Sequence, residues 1–173
     1  MFFVLLPAVL VAVVSAVALA GHGGSVLAAR PARGPGAGTP LHALAAFAGA
    51  AALTAYAWGL LHVTGAVMES NGGADSAPAP PCRMPGHEDR ARHVVDQSVS
   101  FLPPGFVCET SDGDGYTTDD VPGYVNPAVA VLALTGAGSA IAAGYATERR
   151  ARAGGGRDRA LERPRRPRLR CGA

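Results

Sequence analysis

Three long runs without a formal charge divide this chain, and its polar residues fall between and after them. Residues 1–20 are apolar apart from Ser15, residues 41–68 carry no charge between Arg33 and Glu69, and residues 127–146 carry none between Asp120 and Glu148. A helix rising about 1.5 Å per residue needs about 20 residues to cover the ~30 Å hydrocarbon core of a bilayer, so each run predicts one membrane-spanning helix. Helices buried in a soluble core share this apolar character, but three of them would leave too little chain to cover that core. The pattern thus predicts an all-α membrane protein: three transmembrane helices with a small extracytoplasmic loop containing a β-hairpin and a disulfide.

Aromatic placement agrees with this. Tyr56 and Trp58 sit in the later half of the second run, and Tyr124 and Tyr145 bracket the third, where rings of interfacial aromatics are expected. Pro127 suits the first turn of a helix, where a missing N–H costs nothing. Small residues recur at four-residue spacing: Ala8, Ala12, Ala16 and Ala20, then Ala51, Ala55 and Gly59, then Gly136, Ala140 and Gly144. Such stripes let helices approach closely in lipid, and the last, with two glycines, is the expected packing face.

The segment 69–126 is the acidic loop. Residues 69–81 form a Gly/Ala/Ser/Pro linker without hydrophobic periodicity, and the ordered region is expected at 82–120. Apolar positions from Val94 to Val107, broken by Pro103-Pro104-Gly105, predict short strands around a proline turn. Val107 to Thr110, the turn Ser111-Asp112-Gly113-Asp114-Gly115, and Tyr116 to Thr118 then read as a hairpin, the glycines supplying positive φ. An isolated hairpin is marginal in water, and Cys82 with Cys108 is its expected fastener in an oxidising compartment. Closing a loop of this size restricts the unfolded chain by roughly 3 to 3.5 kcal/mol.

Charge decides the orientation. The acidic loop holds three arginines against ten acids, whereas residues 147–173 hold ten arginines against three acids. Arg149, Arg150 and Arg152, directly after the third run, are the topology-determining cluster and keep that end in the cytoplasm. Counting back places residues 69–126 outside, the Gly/Pro/Arg loop 21–40 with Arg30 and Arg33 inside, and the N-terminus outside. The expected location is the cell membrane, multi-pass, with the tail 147–173 cytoplasmic and disordered. A rival reading takes residues 1–20 as a signal peptide cleaved after Ala18-Leu19-Ala20. Its start has no basic residue, and cleavage would export the arginine tail against the charge rule. A retained signal-anchor fits better.

Other constellations are weaker. Cys82, His87, His93 and Cys108 could supply a zinc set, but at no metal-binding spacing. Asp112, Asp114, Asp119 and Asp120 form an acidic group in which Thr117 and Gly123 stand where an EF-hand needs glycine and glutamate. His42 and His62 lie near the ends of their span, with no acidic partner inside any span. The arginine tail can cling to anionic lipid, and without interleaved aromatics it predicts no specific nucleic-acid partner. Cys171 is read as a free cytoplasmic thiol.

The stretch Val99-Ser100-Phe101-Leu102-Pro103-Pro104-Gly105-Phe106-Val107-Cys108, then Asp112-Gly113, then Val121-Pro122-Gly123-Tyr124-Val125-Asn126-Pro127 leading into a span, resembles uncharacterised small integral membrane proteins of actinobacteria. The resemblance covers the last half of the chain and implies membrane embedding without an assigned activity. No nucleophile is paired with a base, and no cofactor, metal or small-molecule substrate is indicated. The expected function is non-enzymatic: the lipid bilayer is one partner, and the external loop meets a membrane or envelope protein. The alternative is an accessory subunit of a transporter or channel, which would use the polar positions Ser15, Thr54, Tyr56, His62, Thr64, Thr135 and Ser139.

Overall fold

The computed structural model describes residues 2–29, 38–72 and 79–161. Its three long helices are α1 (Phe2–Ala28), α2 (Gly38–Gly72) and α4 (Val125–Leu161), with the short α3 (Glu88–Ala91) between the last two. A single 3-10 turn (Pro80–Cys82) precedes α3, and strands β1 (Val94–Phe101), β2 (Pro104–Thr110) and β3 (Tyr116–Thr117) follow it. All three long helices are long and apolar enough to cross a membrane.

Helix α2 is the centre of the bundle, flanked by α1 and α4. In its most apolar window 39% of residues are buried, against 17% for each flanking helix, as expected of the one element with two neighbours. Its buried positions are mostly alanine, from Ala43 through Ala57, so both neighbours approach closely. A Cβ on Gly23 would stand 3.2 Å from the Ala46 side chain, one on Gly49 would stand 3.2 Å from Leu19, and one on Gly136 would stand 3.4 Å from the backbone of Ala45 and Gly49.

The alanine stripe of α1 is the face turned inward: Ala12 and Ala16 are buried, Ala8 and Ala20 half-buried. The stripe expected on α4 is corrected. Gly136 lies on α2, but Ala140 is exposed and Gly144 meets nothing within 4 Å. The covered line instead runs through Leu132, Gly136, Ser139, Ala143 and Ala146. Strict four-residue spacing rotates by about 40° per step around a helix of 3.6 residues per turn, whereas alternating steps of three and four stay on one face. In the second stripe Gly59 is buried and Ala51 exposed, for the same reason.

Helix ends also differ from the charge-free runs. Helix α1 continues to Ala28, inside the expected loop 21–40, because Gly23 seats the helix against Ala46 and Phe47, and packing overrides the poor helix propensity of glycine. The rest of that loop, from residue 30 to 37, lies outside the described residues. Helix α4 continues to Leu161, so the part of the tail before residue 162 is helical and not disordered. Alanine and arginine before Gly154 favour helix, Glu148 pairs with Arg152 one turn on, and the helix continues through Gly154-Gly155-Gly156 despite their poor propensity. Residues 162–173, with Cys171, lie outside the described residues.

Candidate functional site

Between α2 and α4 the chain builds a three-stranded antiparallel sheet in the order β1-β2-β3. The expected hairpin is its second half: Val107 pairs with Thr117 and Cys108 with Tyr116. Gly113, with φ of 83°, supplies the turn, which is closed by its N–H to the Thr110 carbonyl and by the Thr110 hydroxyl donating to the Asp114 carbonyl at 2.7 Å. Its first half joins β1 to β2 through Leu102-Pro103, with Phe101 opposite Pro104. A bulge between Val94 and Asp96 shifts the register, after which Asp96 faces Glu109 across the ladder. Like charges directly opposite disfavour pairing, so this acidic pair is held by the rest of the sheet.

Cys82 and Cys108 form a disulfide, with Cα atoms 6.0 Å apart and both residues fully buried. Cys82 is delivered by the 3-10 turn, where Pro80 and Pro81 fill positions that need no N–H donor, and the Cys82 N–H reaches the Ala79 carbonyl at 2.9 Å. Linker residues 73–78 lie outside the described residues. The disulfide does not close a free loop. Cys82, Cys108, Phe106 and Tyr116 share one apolar cluster with Leu60, Val63, Ala66 and Val67 of α2 and Leu5 of α1. The sheet is thereby seated on the bundle, and Pro104 and Val125 both press on Gly59.

Around this core the polar groups are mostly engaged. Tyr116 donates its hydroxyl to the Cys82 carbonyl at 2.6 Å, and its ring stacks on His87 with centroids 5.3 Å apart. Burial raises the Tyr116 phenol above the usual tyrosine value, the nearby Arg90 charge opposing. Glu88 is held below the usual carboxylate value by its own backbone N–H and by that of Gly86. The conceivable zinc set is undone, since its sulfurs are joined and His93 Nδ1 lies 2.9 Å from the Asp89 carbonyl oxygen. Among the described residues no three His, Cys, Asp or Glu side chains are grouped to hold a metal ion.

Asp112 and Asp114 part company from Asp120. Asp112 and Asp114 line a cleft of about 190 Å³ with Asp89, Arg90, His93 and Thr110. Asp120 accepts from the Thr118 hydroxyl and borders a cleft of about 300 Å³ with Trp58, His62 and Glu69. His62 meets Trp58 edge-on, and its shielded Nε2 has no hydrogen-bond partner among the described residues. His42 is exposed on the second turn of α2. A third cleft, of about 390 Å³, lies between Arg83, Met84, Glu88 and Arg92. None of the clefts was legible in sequence, because each joins residues far apart in the chain or on opposite sides of a turn.

Arg149, Arg150 and Arg152 are all exposed on α4, at the end away from the sheet. The hydroxyls of Thr54, Thr64 and Thr135 each donate to the carbonyl four residues earlier, within their own helices. Tyr56 reaches out of α2 instead, donating to the Phe101 carbonyl at 2.9 Å. No protein-family model matches this chain, and no curated protein or solved structure does either.

Proposed function

We propose that this chain is a three-span protein of the cell membrane, N-terminus out and C-terminus in, which presents a disulfide-closed sheet outside the cell to an envelope protein and has no enzymatic role. Contacts between the helices align the three spans on one slab that differs from the charge-free runs, ending the second span near Gly59 instead of Met68 and carrying the first beyond Ala20. Gly59 of α2 meets Val125 of α4, Gly136 meets Ala45 and Gly49, and Gly49 also meets Leu19 of α1. Counting about 20 residues inward from Gly59 gives one slab, bounded by Trp58 and Tyr124 on the sheet side and Tyr145 on the other. Arg149, Arg150 and Arg152 lie on α4 just past Tyr145, at the end away from the sheet, and in the sequence Arg30 and Arg33 come just after α1, which supports reading that side as cytoplasmic.

The observation that carries the docking role is the shared cluster of Leu5, Leu60, Val63, Cys82, Phe106 and Cys108. A loop fused to the bundle in this way holds its outer surface at a fixed angle to the membrane. That surface carries the Asp96–Glu109 pair and Val95, which is 69% exposed, so a cationic protein surface with an apolar contact suits it. A photo-crosslinker at Val95, activated in intact cells, tests this. The expected result is a discrete protein adduct that is lost with Asp96→Asn plus Glu109→Gln. Adducts arising only from lipid-facing positions such as Leu134 would instead favour an accessory subunit buried in a membrane complex.

A further inference from the structure

We infer that the β1–β2 turn, Phe101 to Pro103, is immersed in the outer leaflet and pins the sheet to the bilayer; this rests on the three-span reading above. Its depth follows from two contacts. The Phe101 carbonyl accepts the Tyr56 hydroxyl at 2.9 Å, and Pro104 packs on Gly59. Tyr56 precedes Gly59 by almost one helical turn, which puts the turn about 4 to 5 Å inside the level set by Gly59 and Val125.

The chemistry of the turn matches that depth. Leu102 is 86% exposed and Phe101 39% exposed, although the adjoining Gly105 and Phe106 are buried. In water such a tip would leave Leu102 almost wholly unburied; in acyl chains that surface is satisfied. Backbone polarity is suppressed at the same place. Pro103 and Pro104 carry no N–H, the Phe101 carbonyl is taken by Tyr56, and the Pro103 carbonyl accepts the Ser100 hydroxyl at 2.8 Å. Each polar backbone group removed or met internally lowers the cost of placing irregular backbone at a lipid boundary. At the far end of β1, Val95 sits beside Asp96 and Arg92 and belongs to water.

Tryptophan scanning of the full chain tests the inference. In a Trp58→Phe background, Leu102→Trp, Leu134→Trp and Val95→Trp are each reconstituted into phosphatidylcholine vesicles brominated either near the headgroup or deep in the acyl chain. Leu102→Trp is expected to emit to the blue and to lose emission to shallow bromines within about twofold as strongly as Leu134→Trp does to deep ones, Val95→Trp being unaffected. If Leu134→Trp is quenched while Leu102→Trp is not, the inference fails and the three-span reading stands. If neither is quenched, both fall.

Discussion

The hydroxyl of Tyr116 donates to the carbonyl of Cys82 in a buried hydrogen bond of 2.6 Å, linking the last strand of the sheet to the 3-10 turn that delivers the disulfide. That carbonyl sits beside a disulfide that excludes water, so Tyr116→Phe leaves an acceptor without a donor. A loss of about 1 to 2 kcal/mol is expected, read as a lower midpoint of thermal unfolding in detergent with the disulfide still formed. An unchanged midpoint would mean that water replaces the phenol.

The same phenol predicts how stability depends on alkali. Burial raises the Tyr116 pKa in the folded protein above its value in the unfolded chain, with Arg90 opposing. The contribution is therefore complete below about pH 10, the unfolded tyrosine range, and is lost as pH rises through the folded value. Wild-type protein should lose stability across that interval more steeply than Tyr116→Phe. Parallel curves for the two would show that Tyr116 does not control the response.

Cys82 and Cys108 are both fully buried, so reductant can reach their bridge only after the sheet leaves the bundle. Alkylation after mild reduction should find the pair protected in folded protein and reactive once it is denatured. The double variant Cys82→Ser plus Cys108→Ser loses roughly 3 kcal/mol of restraint on the unfolded loop, and proteolysis should cut 82–108 before the helices. Equal protease resistance with and without the bridge would show that the apolar cluster alone seats the sheet.

What the chain reveals by itself depends on whether the deciding residues are neighbours. The helices are legible because a run without charges is a local property, and the β2–β3 hairpin because Asp112-Gly113-Asp114-Gly115 punctuates an apolar pattern locally. The disulfide was legible by elimination, there being two cysteines in one loop. Helix ends were not, since Gly23 continues α1 only by meeting Ala46 and Phe47 on another helix. Nor was the seating of the sheet, which joins Leu5 to Phe106 across most of the chain. The face of α4 was not legible because Gly136, Ala140 and Gly144 recur at four-residue spacing, whereas packing follows the 3.6-residue turn.

Glycine positions on the bundle should separate sharply. A Cβ at Gly59 would come within 3.1 Å of both Pro104 and Val125, which belong to two elements and cannot both retreat, whereas a Cβ at Gly138 meets nothing within 4 Å. Gly59→Ala is expected to cost about 1 to 3 kcal/mol by forcing the sheet or α4 away. Gly138→Ala should be neutral or stabilising, since alanine is the better helix former by up to about 1 kcal/mol. Unfolding of the two variants side by side decides this, and equal effects would remove Gly59 as the point where three elements converge.

Leu5 tests whether the first helix is part of the finished fold. It is fully buried and lies in the cluster with Leu60, Val63, Phe106 and the disulfide, although it stands near the start of the chain. Leu5→Ala opens a cavity between α1, α2 and the sheet and is expected to cost about 2 to 4 kcal/mol, close to other fully buried leucines. Val14→Ala, on the exposed face of the same helix, should cost far less, because that side chain lies against no protein neighbour in the cluster. A segment removed as a signal could not contribute in this way. Mass measurement of the protein from membranes should therefore find residues 1–20 attached, and a mature chain beginning at Gly21, with Leu5→Ala silent, would exclude α1 from the structure.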